Sequence, residues 1–105
     1  MTLREQIGQL FMMGFTGTTL GAELASFMKA YAPGGVILFR RNLESVQQIV
    51  DLTNGLQKLS PGSPLLIAID QEGGRVSRLP AEFTIFPPCA QLGQCNSSEL
   101  AYSAA

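Results

Sequence analysis

Carboxylates, glycines and arginines stand together just after a short apolar run, in the order Asp70, Glu72, Gly73, Gly74, Arg75 and Arg78. The apolar run, residues 65–69, predicts a strand buried on both faces, which is typical of parallel sheets covered by helices. Charged groups at the carboxyl end of such a strand are where α/β folds place their sites. The alternative is a charged loop that simply follows a strand. The sequence has no histidine, which removes the commonest general base from this chain.

The amino-acid composition and the net charge argue against several classes of function. The 105 residues suffice for one small domain, and 46% apolar with 14% charged residues indicates a globular chain. A charged fraction this low is what a half-buried fragment of something larger would show. A net charge of −1 gives no electrostatic case for nucleic acid or for an acidic membrane surface. The apolar runs are too short to span a bilayer. Residues 1–6 lack signal-peptide architecture, so we expect a cytoplasmic location.

The two cysteines, Cys89 and Cys95, do not indicate a metal site. Their spacing is not that of a usual metal pair, and no histidine can complete one. Reduced thiols are the favoured interpretation for a cytosolic protein, although the spacing does not exclude a disulfide. We therefore expect neither a metal nor a cofactor.

The elements that must position the candidate residues alternate between helix and strand. Thr2 and Glu5 form a capping-box pattern that starts a short leading helix. Residues 10–15 then read as the first strand. A helical stripe follows, and its methionine and aromatic residues are expected to fill the core: Leu20, Leu24, Phe27, Met28 and Tyr31.

Residues 36–39 predict the second strand, with polar residues at its carboxyl end. The favoured interpretation is a solvated turn in which Asn42 caps the next helix. The alternative is that Arg40 or Asn42 faces a site shared with Asp70. The next helical stripe comprises Val46, Ile49, Val50, Thr53, Leu56 and Leu59.

Residues 60–64 end that helix and lead into the third strand. A long irregular stretch, 71–94, comes next, and loops of this length are usually functional. Asn96, with Glu99 reaching back, is expected to cap a last helix.

This order predicts a parallel sheet with right-handed crossovers, in a truncated (βα)8 barrel or an open α/β fold. A complete barrel needs about 250 residues. Residues 1–105 would therefore be an amino-terminal fragment that holds the first three of eight βα units.

The chain resembles the amino-terminal part of the bacterial β-N-acetylhexosaminidases of glycoside hydrolase family 3. Three blocks carry most of the resemblance: residues 7–15 (IGQLFMMGF), 34–42 (GGVILFRRN) and 69–79 (IDQEGGRVSRL). Phe83-Thr84 and Phe86-Pro87 follow in the family's order. The resemblance implies a TIM barrel that binds a sugar at the carboxyl ends of its strands. It also implies a retaining mechanism that releases terminal β-linked N-acetylglucosamine, especially from muropeptides recycled in the cytoplasm.

The resemblance assigns substrate-binding roles to two residues. Asp70 matches the aspartate that accepts hydrogen bonds from sugar hydroxyls, and Arg78 matches an arginine that orients this carboxylate or donates to the sugar. The family's acid/base histidine, in a Lys-His-Phe-Pro-Gly-His-like segment, has no counterpart here, and its aspartate nucleophile lies on a later strand. No catalytic residue is therefore expected in this chain, and the remainder of the barrel would supply these groups in cis.

Asp70 and Glu72 are not expected to be the catalytic pair. A retaining glycosidase needs carboxyl groups roughly 5–5.5 Å apart on opposite sides of the scissile bond, and neighbours on one strand end do not easily straddle a sugar. We interpret Glu72 as a loop-organising residue that pairs with Arg75 or with backbone amides. Gly73 and Gly74 would let the loop pass close to the sugar or to the next strand.

A second hypothesis comes from another class. The chain would be a non-catalytic carbohydrate-binding or assembly module that oligomerises through its open sheet edges. The last residues, Ala-Tyr-Ser-Ala-Ala, read as the middle of a helix, which favours the fragment interpretation.

Overall fold

A computed structural model describes residues 1–60 and 62–104. Pro61, in the predicted link to the third strand, and Ala105, at the end of the predicted last helix, lie outside the described residues. The helices are α1 (Leu3–Gly8), α2 (Ala22–Tyr31), α3 (Val46–Gln57), α4 (Cys89–Gln94) and α5 (Ser98–Ala104). The strands are β1 (Met12–Met13), β2 (Gly35–Leu38) and β3 (Leu66–Ile69).

The three strands form one parallel sheet in the order β1-β2-β3. Met12 pairs with Gly35 at one side of β2, and Gly35 pairs with Leu66 at the other. Consecutive parallel strands need a crossover, and α2 and α3 supply the two crossovers. The fold class is therefore α/β, as predicted, and the sheet of the described residues is not closed.

The leading helix begins as the capping-box pattern predicts. The Thr2 amide donates to Glu5 Oε2 at 2.6 Å, and the Glu5 amide donates to Thr2 Oγ1 at 3.3 Å. Two otherwise unpaired backbone donors of the first turn are thereby satisfied. The first strand is shorter than predicted, since only Met12 and Met13 of residues 10–15 pair with a neighbour.

The core lies between β2 and the crossover helices. Met28 of α2, Val36 of β2 and Leu56 of α3 are almost completely buried, as the helical stripes predict. The expectation that the aromatic residues of α2 also fill the core is wrong. Phe27 and Tyr31 are 42% and 50% exposed, and their rings pack against each other with centroids 4.7 Å apart. They lie at the margin of the stripe, whereas the residues that contact the sheet lie at its centre.

The prediction that the third strand is buried on both faces is also wrong. Leu66 is 66% exposed, and the other residues of β3 are partly exposed. The physical reason is position, because β3 is an edge strand of this sheet and pairs with β2 alone among the described strands. Full burial of this apolar run would require a covering surface that residues 1–60 and 62–104 do not themselves provide.

The irregular stretch after β3 is shorter than predicted, because α4 begins at Cys89. Pro88 stands directly before this helix, where proline is tolerated because no intrahelical N–H bond is needed there. The predicted cap of the last helix is displaced by one residue. Ser97 Oγ accepts from the Leu100 amide at 3.2 Å, whereas Asn96 has a left-handed φ of 47° in the link between α4 and α5.

Within residues 1–60 and 62–104, no helix combines the length and the apolarity needed to cross a membrane.

Candidate functional site

The candidate site is built on the residue that follows β3. Asp70 ends the strand, and its Oδ2 lies 3.2 Å from Nη2 of Arg78. The two side chains are 37% and 32% exposed, so the pair is partly sheltered and still reachable from solvent. An ion pair as exposed as this one contributes about 0–1 kcal/mol to stability. The pair therefore contributes little to the stability of the fold.

A tight turn separates the two members of the pair. The amides of Glu72 and Gly73 both donate to the Val76 carbonyl, at 2.9 and 3.1 Å, and the Val76 amide donates back to Gly73. Gly73 and Gly74 have φ of 78° and 56°, in the left-handed region that favours glycine. The turn reverses the chain and returns it to the strand end.

The two glycines also permit a close approach within the same loop. A Cβ on Gly73 would lie 2.3 Å from the Pro87 carbonyl oxygen, and one on Gly74 would lie 2.5 Å from Pro88 Cγ. The Gly74 amide donates to the Phe86 carbonyl at 3.0 Å. The neighbour that requires these glycines is therefore the segment 86–88, whereas the sequence suggested a sugar or the next strand.

The predicted pairing of Glu72 with Arg75 is not found. Both side chains are exposed, and the described part of the chain contains one ion pair, that of Asp70 with Arg78. Glu72 takes part in the loop through its backbone, because its carbonyl accepts from Cys89 Sγ at 3.5 Å and its amide closes the turn. Solvent competes for two exposed opposite charges, so their proximity in sequence does not hold them together.

Asn42 neither caps the next helix nor faces Asp70. It is completely buried, and Ser45 caps α3 instead, with its Oγ accepting from the Gln48 amide. Asn42 Oδ1 accepts from the Phe39 amide at 2.9 Å, and Nδ2 donates to the carbonyls of Phe15 and Gly17 at 3.1 and 2.8 Å. Asn42 therefore links the segment that follows β1 to the segment that follows β2. It lies at the carboxyl ends of the strands, the same end of the sheet as Asp70.

Arg41 and Arg40 also follow β2, and both are exposed. Arg41 Nε donates to the Phe15 carbonyl at 3.0 Å, and its guanidinium lies over the Phe39 ring, 4.7 Å from the centroid. These contacts fix Arg41 to the ends of β1 and β2. The structure gives Arg40 no side-chain partner in the described residues and no contact with Asp70.

One residue of the loop that the sequence analysis did not single out has three polar contacts. Gln71 Oε1 accepts from the amides of Arg78 and Leu79, at 2.7 and 3.4 Å, and Nε2 donates to Ser77 Oγ at 3.1 Å. The only signal in the sequence is an amide side chain beside Asp70, because its partners lie six to eight residues further along the chain.

A cavity of about 720 Å³ opens beside the loop, with Gln71, Glu72 and Gly73 among its lining residues. Both cysteines line it as free thiols, together with apolar side chains such as Phe86, Leu92 and Leu100. Among residues 1–60 and 62–104, no group of three metal-ligating side chains is found. The chemistry available at the strand end is thus that of a carboxylate acceptor with an arginine partner, which suits a ligand rich in hydroxyl groups.

Several known proteins are similar to this chain. The glycosyl hydrolase family 3 N-terminal domain matches residues 2–105. A β-hexosaminidase of Xylella fastidiosa (strain M23) is 42% identical over 84 residues, which are 80% of this chain and 25% of that protein. A β-hexosaminidase of Nitrosomonas eutropha is 48% identical over 84 residues, which are 79% of this chain and 24% of that protein.

Solved structures extend the likeness to three dimensions. A glycoside hydrolase family 3 β-N-acetylglucosaminidase from Paenibacillus sp. str. FPU-7 superposes with a TM-score of 0.90 at 41% identity, covering 99% of this chain and 20% of that one. NagZ from Neisseria gonorrhoeae, in complex with N-trifluoroacetyl-D-glucosamine, gives 0.74 at 36% identity and covers 89% and 27% of the two chains.

The chain spans between a fifth and about a quarter of the length of these relatives. Its match to the family domain extends over nearly every residue, and its three strands and their helices superpose on family members. The chain therefore belongs to glycosyl hydrolase family 3.

Proposed function

We propose that residues 1–105 are the amino-terminal part of the (βα)8 barrel of a β-N-acetylhexosaminidase, in which Asp70 and Arg78 bind the terminal N-acetylglucosamine. The observation that carries the proposal is the Asp70–Arg78 pair, with Nη2 and Oδ2 3.2 Å apart at the carboxyl end of β3. Sugar sites of barrel enzymes lie at this end of the strands. The names of the relatives support the same substrate class.

The pair suits hydroxyl recognition for a physical reason. A carboxylate has two oxygens that together accept several hydrogen bonds, and Arg78 occupies only Oδ2 in this structure. The Asp70 side chain is 37% exposed, and we assign its Oδ1 to the hydroxyl donors of a bound sugar. Hydrogen bonds from hydroxyls to a carboxylate are stronger than those between neutral groups. Arg78 fixes the carboxylate plane and thus selects the directions of those hydroxyls.

The chemical step requires groups from elsewhere in the barrel. Retaining hydrolysis needs a nucleophile and an acid/base group on opposite sides of the glycosidic bond. This sequence has no histidine, and its carboxylate at the site is already engaged with Arg78. We assign the aspartate nucleophile and the acid/base histidine to the remainder of the barrel, in cis. Residues 1–105 then contribute substrate binding and three of the eight strands.

The natural substrate and the location follow from the same proposal. A terminal N-acetylglucosamine unit of a recycled cell-wall muropeptide presents the hydroxyl groups that this site would bind. The net charge of −1 offers no competing affinity for nucleic acid. We place the enzyme in the cytoplasm, where such muropeptides are recycled.

Hydrolysis assays of the full-length protein and of the 105-residue chain test this function. The full-length protein that contains residues 1–105 is expected to hydrolyse a chromogenic β-N-acetylglucosaminide. The rigorously purified 105-residue chain is expected to hydrolyse none, because it has no histidine and no residue that matches the family's nucleophile. Turnover by the short chain would contradict the division of roles, and absence of turnover by the long protein would contradict the function itself.

A second candidate function is a non-catalytic carbohydrate-binding or assembly module. The observation that favours it is the exposed apolar surface at both edges of the sheet, where Phe11 is 63% and Leu66 66% exposed. A second copy of the chain could cover these edges as well as the rest of a barrel could. The intact mass of the native protein separates the two, because a mass well above 11.3 kDa supports the barrel enzyme.

A further inference from the structure

We propose that Gln71 is a positioning residue that holds Arg78 against Asp70. The inference deepens the proposed sugar-binding role of that pair and rests on it. Gln71 immediately follows Asp70, and its side chain reaches back across the loop to Arg78. It would act on the substrate through the pair rather than by touching the sugar.

The loop between Asp70 and Arg78 is closed by two separate sets of contacts. The inner set joins Glu72 and Gly73 to Val76 and does not include residues 77–79. Residues 77–79 are held at the strand end by the hydrogen bonds of Gln71, by the ion pair and by the packing of Leu79 against the core. Gln71 therefore supplies the polar anchor of the returning chain, and it bonds directly to the backbone of Arg78.

The ion pair cannot replace this anchor. It is about one-third exposed at each end, so solvent screens it. The arginine side chain is long and flexible, and its guanidinium has a defined position only if its backbone has one. The 2.7 Å bond from the Arg78 amide to Gln71 Oε1 supplies that defined position.

The chemistry of the amide side chain matches its partners. Two backbone N–H donors, those of Arg78 and Leu79, require an acceptor, and the carbonyl oxygen of Gln71 has two lone pairs. The amide nitrogen donates to Ser77 Oγ on its other side. These contacts select one of the two amide orientations and hold the side chain across the loop.

We expect loss of the Gln71 side chain to weaken substrate binding and to leave the rate of the chemical step little changed. In Gln71→Ala, Asp70 and Arg78 are both present, but the guanidinium is no longer held at the carboxylate. We expect KM for a chromogenic β-N-acetylglucosaminide to rise about 10- to 100-fold, with kcat changed much less. Gln71→Glu keeps an acceptor for the Arg78 amide and should restore KM to within about threefold of the wild type.

A double-mutant cycle on the full-length protein tests whether Gln71 acts through Arg78. In an Arg78→Ala background, Gln71→Ala should raise KM by less than about twofold further, because the group that it positions is gone. Gln47→Ala, which removes an exposed amide side chain of α3 that donates to Asp51, is the matched control and should stay within about twofold of the wild type. Gln71→Met keeps the side-chain volume if the alanine variant does not fold.

A crystal structure of the Gln71→Ala protein provides a readout that does not depend on activity. We expect the 3.2 Å contact between Arg78 Nη2 and Asp70 Oδ2 to be lost. Any of three results would overturn the proposal. These are a wild-type KM in the Gln71→Ala enzyme, an equal effect of Gln71→Ala with and without Arg78, and a retained Arg78–Asp70 contact in the crystal. If the wild-type enzyme hydrolyses no β-N-acetylglucosaminide, the proposed function fails, and the crystallographic distance alone decides the role of Gln71.

Discussion

Arg78 returns to the end of β3 and places its Nη2 3.2 Å from Oδ2 of Asp70, eight residues earlier in the chain. The contact joins Asp70, at the end of the strand, to Arg78, at which the chain returns to that strand end. Nε of Arg78 is buried and has no hydrogen-bond partner among the described residues. An unsatisfied donor of this kind is costly unless a further acceptor completes it.

Gly73→Ala should disrupt the loop more than a change at another left-handed glycine. The new Cβ would lie 2.3 Å from the Pro87 carbonyl oxygen, and the φ of 78° is strained for alanine. Gly62 has a φ of 83° with open space around it, so Gly62→Ala measures the backbone strain alone.

Urea unfolding of both variants checks this expectation. The strain alone should lower the free energy of unfolding by about 1–2 kcal/mol, and Gly73→Ala should cost at least about 1 kcal/mol more. Equal costs at Gly73 and Gly62 would mean that segment 86–88 moves aside without penalty.

Asn42→Ala should destabilise the protein because three hydrogen bonds of a completely buried side chain are lost at once. The amide of Phe39 and the carbonyl of Gly17 would lose the bonds that Asn42 supplies, whereas the Phe15 carbonyl would keep its bond from Arg41. We expect a loss of about 2–4 kcal/mol in the free energy of unfolding, measured by urea denaturation. Asn54→Ala, at an exposed position of α3, is the control and should change it by less than about 0.5 kcal/mol. A similar effect at both positions would contradict the structural role of Asn42.

The order of helices and strands could be predicted from the sequence because it depends on local patterns. Apolar residues at helical spacing, such as Met28 and Leu56, mark the buried face of each crossover helix, and short apolar runs mark the strands. Asp70 could be placed at a strand end for the same reason. These signals lie within one element and require no knowledge of its neighbours.

The remaining features depend on partners that are distant in the chain. Asn42 is buried because its amide group meets Phe15 and Gly17, more than twenty residues earlier, and no local pattern reveals that. The exposure of Leu66 and Tyr31 depends on what covers the sheet edge and the helix margin. The contact of Gln71 with Arg78 depends on how the glycine turn reverses the chain.

The capping box of α1 predicts a pH effect at Glu5. Hydrogen bonds from the Thr2 amide and hydroxyl lower the pKa of the Glu5 carboxyl from its ordinary value of 4.5. A depressed pKa means that the carboxylate favours the folded helix above the unfolded-state pKa, and that this contribution is lost as the pH falls through the folded-state pKa.

An NMR titration of the Glu5 side-chain carboxyl carbon measures this shift. We expect a midpoint below 4.5, which moves upward in Thr2→Ala because one of the two hydrogen bonds is removed. A midpoint for Glu5 that Thr2→Ala does not change would show that the hydroxyl contributes nothing to the cap.

The central claim is that Asp70 binds the terminal sugar, and steady-state kinetics of Asp70→Ala in the full-length protein tests it most directly. With a chromogenic β-N-acetylglucosaminide, we expect kcat/KM to fall about 100-fold or more, because the sugar hydroxyls and Arg78 lose their shared partner. Asp51→Ala, which removes an exposed carboxylate of α3, should leave kcat/KM within about twofold of the wild type. Unchanged kinetics in Asp70→Ala would contradict the claim and would leave Asp70 as a residue that only shapes the loop.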